Sequence, residues 1–214
     1  MRTDERIGRD SAEFDSRARL LAAARAYLRA LPAPELAAAL AGWPAGGSPA
    51  ARAPCSLPVL RHLPGSVAAS PGATRALAVA IAAAAPHLHW RQSYARGEVD
   101  AAFLDNYGWC ELVGAGGLLP SATLAAGILV LGPSTHYPSH AHAAAELYVP
   151  VSGTAEWQQG DGGWQHRHPG TLIRHAGGER HAMRTGEQAL VALYLWHGTG
   201  LAEPARLTTA AAGA

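Results

Sequence analysis

The chain has 214 residues, 49% of them hydrophobic and 15% charged, which is the composition of a globular protein and not of a disordered one. Its net charge is +1, and all 17 basic residues are scattered arginines, which argues against a nucleic-acid or anionic membrane surface as partner. No apolar stretch reaches the roughly 18 to 20 residues of a membrane span, and the charged start differs from a signal peptide. We therefore expect a soluble, cytoplasmic protein in which Cys55 and Cys110 are reduced thiols.

The first half of the chain is rich in alanine, and its apolar residues recur at helical spacing. Phe14, Leu21 and Leu28 repeat every seventh residue and predict one face of a helix. Residues 44–66 carry too much proline and glycine for regular structure. Three further helices are predicted, over residues 34–42, about 73–85 and about 98–107. We expect these helices to cover the second half as an accessory layer.

After about residue 115 the pattern changes to short β-type runs that are separated by glycine and proline. The runs are spaced about ten residues apart, which favours a sandwich or a closed barrel. The predicted strands comprise residues 123–131, 146–152, 154–159, 171–175, 181–185 and 189–196.

Histidine and glutamate occur together at the start of this β-rich half. His140 and His142 are two residues apart, so on a strand both side chains point to one face. Glu146 and Tyr148 likewise share a face of the next run, while the residues that alternate with them are aliphatic. Imidazole and carboxylate groups are ligands that suit zinc, iron, manganese, nickel or copper.

The spacing of these residues resembles the first motif of the cupin superfamily. In that motif HxH is followed by three or four residues, a glutamate, six residues and a glycine. Here His140 and His142 are followed by three alanines, Glu146, six residues and Gly153.

The second cupin motif is also recognisable further along the chain. Gly170, Gly178 and His181 stand at its positions, although Ala176 replaces a proline and Thr185 replaces an asparagine. Both departures affect turns and not ligands, so four candidate metal ligands remain: His140, His142, Glu146 and His181. The other histidines of this half lack such support and are expected to be structural or surface residues: His136, His166, His168, His175 and His197.

Residues 120–198 as a whole resemble the cupin-type dimethylsulfoniopropionate (DMSP) lyases. This resemblance implies a β-elimination in which a proton leaves the carbon next to the carboxylate and dimethyl sulfide departs, leaving acrylate. In that family the residue matching Tyr148 is the base, and those matching Tyr137 and Trp196 line the substrate pocket. Tyr137 is in addition a second candidate for a catalytic role.

The resemblance also implies the metal ligands and the fold. The residues matching His142, Glu146 and His181 hold one divalent metal, expected to be zinc, iron, manganese or nickel. We expect His140 to be a fourth ligand or a substrate contact. The implied fold class is mainly β, with a C-terminal cupin barrel (a double-stranded β-helix, or jelly roll) and an N-terminal α-helical accessory region. The expected division is a helical region over 1–115, the barrel over 116–200 and a flexible tail over 201–214.

The roles of the tyrosine and of the aromatic residues follow from their chemistry. Tyrosine has a pKa of about 10, so its phenolate costs on the order of 4 kcal/mol at neutral pH, which a nearby dication can largely offset. Tyr148 is therefore expected to act only beside the metal. A sulfonium cation favours aromatic faces, each worth roughly 0.5 to 2 kcal/mol. The candidates are Tyr137, Trp196, Trp157 and Tyr94, whereas the other four tryptophans are expected to serve packing.

The sequence leaves three alternatives open. The same ligands could hold iron in a cupin dioxygenase, serve a lyase for another small carboxylate, or form a metal-stabilised binding module without activity. In each case the expected partner is a small molecule, with no nucleic acid and no membrane. A homodimer is a further open option.

Overall fold

The computed structural model describes residues 2–50 and 52–208, with side chains from residue 13 onward. Helices occupy most of the first half of this part of the chain. Their bounds are α1 Arg2–Ala30, α2 Pro34–Leu40, α3 Leu63–Ala69, α4 Gly72–Ala84 and α5 Ala101–Asp105, with short 3₁₀ helices at Pro58–His62 and Ala85–His87. Within the described residues, no helix combines the length and the apolar character that crossing a membrane requires.

Helices are found in all four regions where they were predicted, but two details differ. Leu21 and Leu28 are buried as expected, whereas Phe14 is 43% exposed. The segment expected to lack regular structure ends in the 3₁₀ helix and the start of α3. Pro58 and Pro64 lie in the first turns of these helices. Proline is tolerated there because the N–H that it lacks would have no helical partner.

The strands form two five-stranded sheets, whose neighbouring strands all pair antiparallel. Strand order is β1-β2-β9-β4-β7 in the first sheet and β10-β3-β8-β5-β6 in the second. The strands are β1 Tyr107–Val113, β2 Leu124–Leu131, β3 His136–Ala141, β4 Ala145–Ser152, β5 Ala155–Gln159, β6 Gln165–Arg167, β7 Ile173–His175, β8 His181–Thr185, β9 Leu190–His197 and β10 Arg206–Leu207.

The two sheets enclose a shared interior. Tyr148 and Ile173 of the first sheet meet Tyr137, Trp157 and Met183 of the second in one buried cluster. Two antiparallel sheets packed face to face in this way form the jelly-roll barrel of the cupin fold. The predicted fold class, mainly β with accessory helices, is confirmed.

The barrel strands begin earlier and continue later than the sequence indicated. β1 starts at Tyr107, within the region that was predicted to be helical, because α5 already ends at Asp105. β10 lies within the predicted flexible tail and pairs with β3, while residues 209–214 lie outside the described residues. The predicted domain boundary near residue 115 stays a prediction.

The first sheet has two different faces. Along β4 and β9, Leu147, Val149, Leu193 and Leu195 belong to a cluster that also contains buried side chains of the helices. The alternate residues, such as Tyr148, point into the barrel. The helices therefore cover the aliphatic face and leave the opposite face to line the interior. Both cysteines are free, with Cys55 exposed and Cys110 buried.

Candidate active site

Three of the predicted ligands meet inside the barrel. His142 follows β3, Glu146 lies on β4 and His181 opens β8. One ligand atom from each lies within 4.8 Å of those of the other two, and all three residues are buried. His142 and Glu146, four positions apart, thus meet His181, which lies 35 positions further along the chain than Glu146, in one compact group of imidazole and carboxylate, which we call the ligand cluster.

Hydrogen bonds to the main chain orient both imidazoles of the ligand cluster. Nδ1 of His142 lies 2.9 Å from the carbonyl oxygen of Ala144, and Nδ1 of His181 lies 3.0 Å from that of Glu179. Because a carbonyl oxygen only accepts, both Nδ1 atoms carry a proton. In the neutral imidazole, Nε2 then carries the lone pair. Such contacts of the second ring nitrogen are typical of histidines that bind metals.

The Nε2 atoms face the carboxylate of Glu146 at close range. Oε2 lies 3.0 Å from Nε2 of His142 and 3.2 Å from Nε2 of His181. Nε2 of His181 is buried and has no hydrogen-bond partner among the described residues. Lone pairs that converge on a buried carboxylate require positive charge, either as added protons or as a cation. The donor set therefore fits a divalent transition metal.

Trp196 supports the ligand cluster from β9. Its Nε1 donates a 2.6 Å hydrogen bond to Oε1 of Glu146, and its ring stacks on His142 with centroids 4.1 Å apart. Burial by itself would raise the pKa of Glu146, but the imidazoles of His142 and His181 beside the carboxylate outweigh it and lower that pKa. Glu146 is therefore ionised and held in place, as a metal ligand must be.

The fourth predicted ligand, His140, lies beside the ligand cluster but outside it. Its Nδ1 is 2.9 Å from the carbonyl oxygen of Pro138, and its ring stacks on Tyr137 at 4.0 Å. The ring centroid is 4.2 Å from that of His181 and 6.5 Å from that of His142. Burial lowers the pKa of His140 well below its usual value, so the ring is neutral. Its role as a ligand stays a prediction.

A cavity of about 450 Å³ opens next to the ligand cluster. Its wall includes residues predicted for the site and others that were not. Predicted residues in the wall are Tyr137, His140, Glu146, Tyr148 and Trp196; further members include Arg91, Ser93, Tyr107, Trp109, Glu111 and Tyr194. The exposed residues 202–204 also line it, so the cavity extends to the surface. Trp109, which was expected to serve packing, instead faces the cavity, while Trp157 and Tyr94 are not part of the wall.

Tyr148 shares the cavity face of β4 with Glu146. Its ring is 5% exposed and is flanked by Trp157 at 5.9 Å and His175 at 6.2 Å, measured between centroids. Burial raises the pKa of Tyr148 well above its usual value, and the charge of Glu146 raises it further. The side chain is therefore a neutral phenol unless positive charge lies nearby.

Tyr137 is tied to two other tyrosines. Its hydroxyl lies 3.1 Å from that of Tyr94 and 3.3 Å from that of Tyr107. Burial raises the pKa of all three, for Tyr107 to about 12. Tyr107 was not recognised in the sequence, and the period-two pattern of Tyr107, Trp109 and Glu111 is the signal that could have revealed it.

His175 was expected to be an ordinary structural histidine, yet it packs against the ligand cluster. Its ring is 2% exposed and stacks on His181 with centroids 4.0 Å apart and planes at 14°. On β7 it pairs with Glu146 on β4, a pairing that no local pattern could reveal. Burial lowers its pKa to about 3, so the ring is neutral. Of the other unsupported histidines, His136, His166 and His168 are exposed, and His197 is half-buried.

Comparisons with known proteins agree with this geometry. The sequence model of the DMSP lyase family matches residues 41–192. The DMSP lyase DddQ of Ruegeria pomeroyi is 34% identical over 119 residues, which cover 56% of this chain and 59% of that protein. A putative DMSP lyase, DddL of Cereibacter sphaeroides, is 32% identical over 130 residues, covering 60% and 53%. These matches span less than two thirds of the length of either relative.

Solved structures match over more of the chain. The crystal structure of DddQ from Ruegeria pomeroyi has a TM-score of 0.82 and 29% identity, covering 91% of this chain and 96% of that one. A chain from the crystal structures of the DMSP lyases RdDddP and RnDddQII has a TM-score of 0.85 and 34% identity, covering 92% and 100%. On the strength of the family match, the chain belongs to the DMSP lyase family.

Proposed function

We propose that this protein is a metal-dependent lyase that cleaves DMSP to dimethyl sulfide and acrylate, with Tyr148 as the base. The main observation behind the proposal is that a candidate metal ligand and a candidate base lie next to each other on one face of β4. Glu146 belongs to the buried ligand cluster, and Tyr148, two residues on, faces the same cavity. Family membership and the DMSP lyase names of the relatives support the choice of substrate.

His142, Glu146 and His181 would hold the metal. When bound, a divalent metal supplies a Lewis acid for the substrate carboxylate and positive charge that favours the phenolate of a neighbouring tyrosine. The neutral histidines and the single carboxylate leave that charge only partly compensated.

Tyr148 is placed to remove the proton from the carbon next to the substrate carboxylate. The electron pair of that C–H bond forms the double bond of acrylate, and the C–S bond breaks with its electrons going to sulfur. DMSP carries no net charge, whereas acrylate carries one negative charge, so each turnover also releases one proton. The phenolate alone would cost on the order of 4 kcal/mol at pH 7, and burial increases that cost. Tyr148 can therefore act only where positive charge offsets it.

The aromatic part of the cavity wall suits the sulfonium end of the substrate. Trp109, Tyr194 and Trp196 line it in succession, with centroids of neighbouring rings 6.3 Å apart. Each aromatic face contributes roughly 0.5 to 2 kcal/mol to binding of a cation. Neutral rings attract the sulfonium without the desolvation penalty of a buried carboxylate.

The test is incubation of metal-analysed protein with DMSP in the presence of zinc, iron, manganese or nickel. We expect dimethyl sulfide and acrylate in equal amounts. Tyr148→Phe should lower turnover by about 10²- to 10⁴-fold, the range for loss of a general base, without changing the metal content. Tyr27→Phe, which removes a hydroxyl from helix α1, is the matched control.

Two results would contradict the proposal in different ways. Absence of both products with every metal would rule out DMSP as the substrate, and loss of DMSP with uptake of oxygen but without acrylate would favour the dioxygenase alternative. Full turnover by a metal-loaded Tyr148→Phe variant would instead show that Tyr148 is not the base, while DMSP would remain the substrate.

A further inference from the structure

The hydroxyl of Tyr137 begins a chain of hydrogen-bonded side chains. Tyr137 Oη lies 3.3 Å from Tyr107 Oη, which lies 2.9 Å from Ser93 Oγ. Nε1 of Trp109 in turn donates a 3.0 Å hydrogen bond to Ser93 Oγ. Tyr107 and Tyr137 are 2% and 3% exposed, whereas Ser93 is half-buried. The hydroxyl chain therefore leads from the interior of the barrel outward.

The two ends of this chain have different surroundings. At the inner end, the ring of Tyr137 stacks on His140, and both line the cavity together with Tyr148. At the outer end, Ser93 is half-buried and lies two residues before the exposed stretch 95–98. Three hydroxyl groups thus follow the wall of the cavity from the buried Tyr137 to the half-buried Ser93.

The direction of the outer bonds is partly determined by chemistry. The indole Nε1–H of Trp109 can only donate, so Ser93 Oγ accepts from it and keeps its own proton free to donate. Each tyrosine hydroxyl can both donate and accept. The two links between hydroxyl groups, Tyr137 to Tyr107 and Tyr107 to Ser93, can therefore reverse their polarity, which is what passage of a proton along the chain requires.

We propose that Tyr137, Tyr107 and Ser93 form a relay that carries the proton released in each turnover from the active site to solvent. The inference rests on the proposed function, because only an elimination that yields acrylate and neutral dimethyl sulfide releases this proton. Tyr107 and Ser93 act through Tyr137 and do not touch the reacting atoms.

The protons balance along this path. A proton that leaves Tyr148 through the shared cavity reaches Tyr137 Oη, which passes its own proton to Tyr107. Tyr107 passes one to Ser93, and Ser93 passes one to water or a buffer base outside. Each hydroxyl ends with one proton, and the buffer base gains the one that the substrate lost.

Tyr94 provides a matched control inside the same cluster. Its hydroxyl bonds to Tyr137 at 3.1 Å and, among the described residues, to nothing else. It is therefore a side branch that does not lead to Ser93. Tyr94→Phe and Tyr107→Phe each remove one buried hydroxyl next to Tyr137, but only the second interrupts the path.

The experiment measures kcat for DMSP at low and high concentrations of a small buffer base such as imidazole. Tyr107→Phe and Ser93→Ala should lower kcat at low buffer by about 10- to 100-fold, at or below the lower end of the range for an acid–base group. High buffer should restore kcat, and the solvent isotope effect on kcat should exceed that of the wild type. Tyr94→Phe should show no dependence on buffer. Metal content and melting temperature report on folding.

The possible failures can be told apart. A wild type that forms no dimethyl sulfide overturns the proposed function and the relay with it. An active wild type whose Tyr107→Phe and Ser93→Ala variants lose no turnover at low buffer, or lose turnover that buffer does not restore, overturns the relay alone. In the first of those cases water in the cavity removes the proton, and in the second the hydroxyls only support packing. If Tyr107→Phe fails to fold, the Ser93→Ala variant, at the half-buried end of the chain, tests the relay by itself.

Discussion

The two faces of the first sheet are built from the same strands but have opposite chemistry. On β9, Leu193 and Leu195 pack against the helices, while Tyr194 and Trp196 line the cavity. The outer face is aliphatic and its stability comes from burial. The inner face buries a carboxylate, a histidine and tyrosine hydroxyls, whose burial costs free energy unless they are paired or bind a ligand.

This difference indicates how the fold and the site are separated. A face that is covered by helices can supply stability without contacting the cavity, so the interior is free to hold groups that are unfavourable on their own. Changes to the inner face should therefore affect metal binding and turnover, and changes to the outer face should affect unfolding. Three measurements test this contrast.

The largest effect is expected from Glu146→Gln on the inner face. The change removes the only carboxylate of the ligand cluster, so metal affinity should fall by more than about 100-fold, the upper end of the loss seen for supporting residues. Chelator competition measures the affinity. Glu156→Gln, which alters a surface ion pair with Arg184, is the control and should leave it unchanged. Retained affinity in Glu146→Gln would mean that the metal binds elsewhere.

The adjacent pair Leu193 and Tyr194 tests the contrast within two residues. Leu193→Ala should lower the free energy of unfolding by about 2–5 kcal/mol, because Leu193 is 2% exposed and leaves a cavity. Tyr194→Phe removes only a 3.5 Å hydrogen bond to the carbonyl of Cys110, so about 1.5 kcal/mol or less is expected. Denaturant unfolding measures both. A loss of metal affinity in Leu193→Ala equal to that of Glu146→Gln would refute the separation of the faces.

The smallest effect is a pH dependence that belongs to the inner face. The pKa of His175 is about 3 in the fold, against an ordinary value of 6.5, because the ring is buried. The unfolded chain therefore binds more protons below pH 6.5, and the stability falls as the pH drops, by roughly 1.4 kcal/mol per unit. His175→Phe should give a shallower decline between pH 6.5 and 4.5, measured by denaturant unfolding. His168→Phe, at an exposed position, is the control. An equal dependence of stability on pH in the wild type and in both variants would contradict the expectation.

Much of the fold and the centre of the site could be predicted because they depend on local patterns. The six predicted strands match β2, β4, β5, β7, β8 and β9, since short alternating runs between turn residues need no knowledge of their neighbours. The spacing of the two motifs identified His142, Glu146 and His181, which the structure brings together. In contrast, His140 would share a face with His142 only on a regular strand. The pairing of β3 with β8 is irregular between Tyr137 and His140, and β3 ends before His142.

The β-rich second half, the helices before it and the types of ligand could be predicted from the amino-acid sequence, because period, turn residues and motif spacing are local properties. Tertiary structure alone decided that Tyr107 and Ser93 connect to Tyr137 and that His175 stacks on His181. These contacts join β1 and the segment before it to β3, and β7 to β8, across the barrel. They depend on which strands pair and which sheets face each other, and that follows from how the whole chain buries its apolar surface.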